Sequence, residues 1–338
     1  MTIREQIEER EYEILGPYAT FARDSKGRKR EEEECDIRTC FQRDRDRILH
    51  SRSFRRLKNK TQVFLNPEGD HYRTRLTHTL EVSQIARTIA KALRLNEDLT
   101  EAIALGHDLG HTPYGHSGEA ALDTMMKKAG YAGFKHYEQS VRIVEFIEKD
   151  GRGLNLSWEV VDGILNHGVP GHAATLEGRV VRLADKIAYL NHDIDDAIRA
   201  HVLSEEEIPM EYRDVLGHSV KIRLNRIIHD IISQSEGKGD ILQSEEIEQA
   251  MFGLRQFMFH AVYQSAVVKG EEHKAQQMLL AMGDYYMSHF DAVPQSYRQI
   301  KEMGVPEPVV VCDYLSGMTD QYAVQKYKEL FVPAGWHD

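Results

Sequence analysis

The stretch HTLEVSQIARTIAKALRLNEDLTEAIALGHDLG, residues 78–110, decides the fold. Leu80, Val82, Ile85, Ala86, Ile89 and Leu93 recur at three- and four-residue spacing, which lines one face of a helix, so the pattern predicts an amphipathic helix over 78–94. Asn96 is a helix-capping residue type, and Glu97 and Asp98 suit a first turn, so a second helix is expected to run to about Asp108. Gly110 sits where that helix would stop.

The same period continues outward. Ser117 is expected to cap a third helix through Lys128, closed by Gly130, and further helices are expected over 136–149 and 158–167, the latter capped by Ser157 and stopped by Gly168. A longer one over 177–200 carries Val180, Val181, Leu183, Ala184, Ile187, Ala188, Ile194 and Ile198. Segments 220–232, 245–267, 271–290 and 318–330 are again helix-like, while RTCF at 38–41 and PVVVC at 308–312 are weak strand signals. The chain reads as all-α. The charge block DSKGRKREEEE at 24–34 is expected to be a solvated or mobile loop, and SQSEGKGD at 233–240 another loop. No repeat and no Pro- or Gly/Ser-rich linker divides the chain.

Composition bounds the function. The 338 residues hold 43 Lys and Arg against 54 Asp and Glu, a net charge of −11, with 41% hydrophobic residues, an ordinary globular balance. No run approaches the roughly 18 apolar residues of a membrane span. The charged start MTIREQIEEREYEIL lacks an apolar core, so no secretory leader is expected. Three cysteines, Cys35, Cys40 and Cys312, make a poor disulfide framework, which fits reduced thiols and a cytoplasmic protein. The net charge disfavours bulk coating of nucleic acid. Residues 51–80 reverse it locally, with seven Lys and Arg against two carboxylates, so a triphosphate or a DNA effector on one basic patch stays compatible.

Six of the 17 histidines, namely His71, His78, His107, His111, His116 and His136, crowd into residues 71–136. The dipeptide His107-Asp108 ends an otherwise apolar helix. By itself it is balanced between a metal-ligating pair and a helix-terminal histidine beside a solvated aspartate. His78 on the preceding helix and Asp185 on the long one would complete a set of two imidazoles and two carboxylates, which suits a divalent cation with open water positions. Arg75, one turn before His78, and Lys186, beside Asp185, would either reach phosphates or form surface salt bridges. Tyr189 and Asp193 follow Asp185 at i+4 and i+8 on one helix face.

With those motifs quoted, the sequence resembles the HD-domain metal-dependent phosphohydrolases, whose pattern is H…HD…D. It is more closely similar to their deoxyguanosine-triphosphate triphosphohydrolase-like branch. The matching stretches are FQRDRDRILHSRSFRRLKNKTQVF (41–64), RTRLTHTLEVSQIA (73–86), HDLGHTPYGHSGEAAL (107–122), FKHYEQS (134–140), LNLSWEVVDGILNHG (154–168), RLADKIAYLNHDIDDAIRA (182–200) and VCDYLSGMTDQYA (311–323). The resemblance implies an HD-domain helical bundle with additional C-terminal helices, divided as an arm over 1–50, a core over 51–205 and a C-terminal region over 206–338.

It further implies hydrolysis of a deoxynucleoside triphosphate at the α-phosphorus. His78, His107, Asp108 and Asp185 take the positions of the metal ligands, for Mn²⁺, Mg²⁺, Fe²⁺, Co²⁺ or Ni²⁺. His116 takes the position of the catalytic histidine and Glu119 that of its orienting carboxylate. His111 and His136 take positions that line the phosphate site, and Gln62 and Val63 those that contact the sugar, under which the Tyr189 ring would collide with a 2′-hydroxyl while Asp193 would accept from a 3′-hydroxyl. Tyr137 departs from the family, which more often has asparagine there. Relatives are commonly oligomers, hexamers among them, and some respond to a dNTP or single-stranded DNA effector. A phosphatase of nucleoside monophosphates, cyclic nucleotides or alarmones would need only the metal site. A nucleotide-binding regulator would not need the pair His116 and Glu119.

Overall fold

The computed structural model describes residues 1–62, 73–168, 171–263 and 266–333, with the side chains of 263 and 266–268 outside the description. Among the described residues there are sixteen α-helices and no strand, only the isolated bridges Arg28–Ser157 and Thr61–Thr74. No helix among them is long and apolar enough to cross a membrane. Both weak strand signals are helical. RTCF leads into helix Cys40–Leu49 behind its N-cap Thr39, and PVVVC lies in helix Glu307–Ser316. In each case burial accounts for the apolar run: Phe41, Val310 and Val311 are fully enclosed. β-branched residues read as strand locally, but packing overrides a propensity of tenths of a kcal/mol.

The chain forms two compact units, each built from separated segments: 1–50, 77–107 and 155–266 in the first, 51–76, 108–154 and 267–338 in the second. In the first, helices Cys40–Leu49, Glu97–Gly106, Trp158–Leu165 and Leu176–Arg199 pack together. Close approach is what this packing requires. A Cβ on Gly106 would lie 2.6 Å from Ile164 Cδ1, and one on Gly163 would lie 2.5 Å from Ile103 Cδ1, so each helix offers a glycine to the other's isoleucine. Asn96 caps helix Glu97–Gly106 as expected, accepting from Leu99 N at 3.1 Å.

Other expected caps differ. Helix Gly115–Lys128 begins two residues before Ser117, behind Tyr114 in the left-handed region at φ 60°. Ser157 precedes helix Trp158–Leu165 but makes no capping bond; its hydroxyl donates to Asp44 at 2.5 Å. The helix expected over 136–149 is His136–Arg142 followed by a π-turn over 143–147. The charge block at 24–34 is also anchored: Arg28 bonds Asp44, which is fully buried, and the carbonyls of Cys40 and Asn155. A buried carboxylate needs such a partner, which is why a segment so rich in charge is held.

The N-terminal helix Ile3–Ile14 joins the first unit through carboxylates. Glu177 accepts from Thr20 N and Thr20 Oγ1 at 2.9 Å and from Asn96 N at 3.0 Å. Glu11 accepts from Ala22 N at 2.7 Å and Asn96 Nδ2 at 3.2 Å, and burial still pushes its carboxyl up to about 7. A raised carboxyl means the folded chain binds more protons than the unfolded one, so this residue's contribution falls as pH rises from about 4.5 to 7. Glu11→Gln is expected to flatten that fall, by up to about 3 kcal/mol, in urea unfolding measured across this range.

Candidate active site

The first unit brings three of the expected donors together. His107 follows helix Glu97–Gly106 and is fully buried, with Nδ1 at 2.6 Å from the Ala104 carbonyl. A carbonyl only accepts, so Nδ1 carries the proton and a neutral ring keeps its lone pair on Nε2. That Nε2 lies 3.7 Å from Asp185 Oδ1, and His78 Nε2 lies 3.1 Å from the same oxygen. Burial pushes the Asp185 carboxyl up, but His107 and His78 hold it well below the usual range. A lone pair facing a carboxylate demands positive charge where the atoms meet. Two imidazole nitrogens and a carboxylate oxygen fit a first-row divalent cation. The Asp185 side chain is 28% exposed, so the meeting point is open to solvent.

Behind His78, Nδ1 lies 2.8 Å from His192 Nε2, and His192 Nδ1 lies 3.0 Å from Asp193 Oδ1, all three residues being buried. Asp193, expected at a sugar hydroxyl, thus places one oxygen on His192. Tyr189 is partly exposed, its ring 6.1 Å from that of His192. Lys186 is half-buried and its ammonium is pushed down, first by burial and then by Arg182 and Arg255. His167 repeats the His107 device, its Nδ1 lying 2.6 Å from the Ile164 carbonyl and its ring 5.0 Å from that of His107.

Asp108, next in the chain after His107, belongs to the second unit. It pairs with Arg75 Nη1 at 2.7 Å, and its Oδ1 lies 3.3 Å from His111 Nε2. The Arg75 guanidinium, expected at phosphates, is therefore buried on this carboxylate. His111 stacks on His136 with centroids 4.1 Å apart. Burial, then Arg75, holds its imidazole well below the ordinary value. Glu119 accepts from His136 N at 3.1 Å and meets His136 Nδ1 at 3.1 Å, while His116 Nδ1 is 3.7 Å away. Burial pushes the Glu119 carboxyl up, but His116 and His136 bring it well below the usual range. The orienting carboxylate is thus shared, and its shorter contact goes to His136. His116 itself is 68% exposed, open to a reacting group. Gln62 buries an Oε1 that has no hydrogen-bond partner among the described residues; Val63 lies outside them.

The C-terminal segment holds this histidine loop in place. Asp320 accepts from Tyr114 N at 3.0 Å and Thr61 N at 2.8 Å, and its carbonyl accepts from Tyr114 Oη at 2.9 Å. Lys60, buried, donates to the carbonyls of His111 and Ser316, and Arg142 pairs doubly with Asp313 at 2.6 and 2.7 Å. Sequence reasoning passed over His167, His192, Lys60 and Asp320. His192 had a visible signal, a second His-Asp dipeptide seven residues after Asp185, the spacing of one helix face.

An HD domain matches residues 75–190 and a phosphohydrolase-associated domain residues 241–329, which gives the class, an HD-domain phosphohydrolase. Over its whole length the chain is 56% identical to a deoxyguanosinetriphosphate triphosphohydrolase-like protein of Caldanaerobacter subterraneus subsp. tengcongensis, covering 98% of it. Proteins of the same description from Desulfatibacillum aliphaticivorans and Clostridium perfringens are each 49% identical over 98% of this chain, which covers 99% and 98% of them. The chain belongs to the deoxyguanosinetriphosphate triphosphohydrolase-like family, and with it to the metal-dependent hydrolases of the HD superfamily.

Gly110 tests the loop geometry. A Cβ there would fall inside contact distance of Ser140 N and the His136 carbonyl, both backbone atoms that cannot swing away. Gly110→Ala is expected to cost about 1–3 kcal/mol or more in denaturant unfolding, because the helix carrying His136 must move. It should also lower turnover at temperatures where the variant remains folded.

Proposed function

We propose that the protein hydrolyses deoxynucleoside triphosphates at the α-phosphorus, releasing deoxynucleoside and intact triphosphate. The observation that carries this reading is the group His111, His116, Glu119 and His136. A half-buried carboxylate is held ionised by two imidazoles there, with one of them exposed, a larger apparatus than a bare metal site requires. His78, His107 and Asp185 would hold the cation, and the H…HD…D pattern adds Asp108 from the next position in the chain. When bound, the ion supplies charge at the α-phosphate and acidifies water.

The chain's own residues do the rest. Water oxygen bonds to the α-phosphorus as the bond to the 5′-oxygen breaks. The departing oxygen takes a proton from Nε2 of His116, whose Nδ1 side faces Glu119 at 3.7 Å. Lys186 neutralises phosphate charge, while Arg75 holds the Asp108 carboxylate in place. Tyr189 and Gln62 read the sugar, the ring excluding a 2′-hydroxyl and the buried Oε1 taking a donor. The description shared by the relatives, deoxyguanosinetriphosphate triphosphohydrolase-like, supports a dNTP as the substrate class and dGTP among the candidates.

Chromatographic product analysis over all four dNTPs with Mn²⁺ or Mg²⁺ tests the reading. Triphosphate and deoxynucleoside are expected from at least one. Monophosphate with pyrophosphate, or turnover only of monophosphates, cyclic nucleotides or alarmones, would overturn it. His116→Ala should cut kcat by about 10²–10⁴-fold while Mn²⁺ affinity measured by calorimetry stays unchanged. Surviving activity would remove the proton-donor role.

A further inference from the structure

We infer that Asp193, acting through His192, sets the tautomer of His78 and thereby aims the lone pair of His78 Nε2 at Asp185. The inference rests on the reading of His78 as a metal ligand and adds two positioning residues behind it. The chain of contacts is Asp193 Oδ1 to His192 Nδ1 at 3.0 Å, His192 Nε2 to His78 Nδ1 at 2.8 Å, and His78 Nε2 to Asp185 Oδ1 at 3.1 Å.

An ionised carboxylate only accepts, so His192 Nδ1 must carry a proton. A neutral His192 then has its lone pair on Nε2, which accepts from His78 Nδ1–H. The remaining His78 nitrogen, Nε2, is left with a lone pair on the side of Asp185. One carboxylate therefore dictates two ring tautomers in sequence. His78, His192 and Asp193 are 1%, 2% and 0% exposed, so water does not compete for these bonds. The ring planes of His78 and His192 stand at 87°, which directs one ring's nitrogen at the edge of the other. His107 reaches the same tautomer by a different device, the Ala104 carbonyl. The two ligands are thus prepared independently, one by backbone and one by a two-residue relay. Partners of this kind are known to change metal affinity by about 10–100-fold.

The test is a double-mutant cycle on Mn²⁺ affinity, measured calorimetrically on the full chain with no nucleotide present. Asn at 193 offers an amide that can donate to His192 Nδ1. That reverses both tautomers and puts a proton on His78 Nε2. Asp193→Asn is expected to weaken Mn²⁺ binding about 10–100-fold. Gln at 192 gives His78 Nδ1–H an acceptor of its own. In the His192→Gln background, Asp193→Asn should therefore change affinity by no more than about twofold. Unchanged affinity in Asp193→Asn, or an equal loss in both backgrounds, would overturn the relay. If Asp193→Asn does not fold, His192→Gln against His192→Leu decides the matter. Gln is expected to keep wild-type affinity and Leu to lose it, and equal affinities overturn the relay. The readout uses Mn²⁺ alone, so failure to release triphosphate from dNTPs would sink the proposed reaction and leave these results standing.

Discussion

A hydrogen bond that can run in only one direction governs the first unit's chemistry. Ala104 offers His107 a carbonyl, which accepts and never donates, so the ring has no choice of which nitrogen is protonated. Its other nitrogen then confronts a carboxylate that also has nothing to donate. Acceptors turned toward one another are unfavourable in low dielectric unless positive charge sits between them. A site of this kind is specified by the groups behind the ligands as much as by the ligands. The helix end at Gly106 matters for the same reason: it leaves the Ala104 carbonyl within reach of a side chain three residues on.

In the second unit the constraint is burial of charge. Asp108, Glu119, Asp313 and Asp320 are all mostly removed from water, and each meets cationic groups or backbone donors. Losing one partner of such a pair leaves an uncompensated charge, costing about 3–5 kcal/mol, so these contacts fix geometry more than they add stability. Tyr114 shows the consequence. Its left-handed backbone is a strained choice for a non-glycine residue, and it survives because Asp320 grips the chain there at both the amide and the phenol. His116 and Glu119 follow within two turns, so the C-terminal segment shapes the loop that leads into them.

Helices were legible because a stripe of apolar residues at 3.6 period is a property of the sequence itself, as in Val82, Ile85, Ala86 and Ile89, although Leu80, read with them, turns outward at 50% exposure. Caps were legible only where the side chain had nothing better to bond: Asn96 caps as read, whereas Ser157 serves Asp44 from 113 positions away. PVVVC reads as strand from β-branched residues that burial on a helix explains equally well. The expected ligands His78, His107 and Asp185 were visible by type and spacing. What placed His192 behind His78, and Lys60 on the Ser316 carbonyl, was long-range packing, such as the 114 positions separating His192 from His78, and no local pattern encodes such a distance. The two units escaped for the same reason, since each collects segments that lie far apart in the chain.

The net charge of −11 disfavours bulk coating of nucleic acid, and the basic segment 51–80 reverses that sign locally. The structure commits much of that segment elsewhere. Lys60 is spent on two carbonyls, Arg75 on Asp108, Arg56 on the Gly317 carbonyl at 2.8 Å, and Arg52 lies 3.6 Å from Asp150. The first unit gathers cations of its own. Arg182, Lys186 and Arg255 stand close enough for the two guanidiniums to oppose the charge on Lys186, beside a carboxylate already engaged by two histidines. Crowded like charges are unfavourable until an anion arrives between them. Positive charge is therefore gathered locally, on helices Leu176–Arg199 and Glu245–Met258, in a chain whose overall sign is negative.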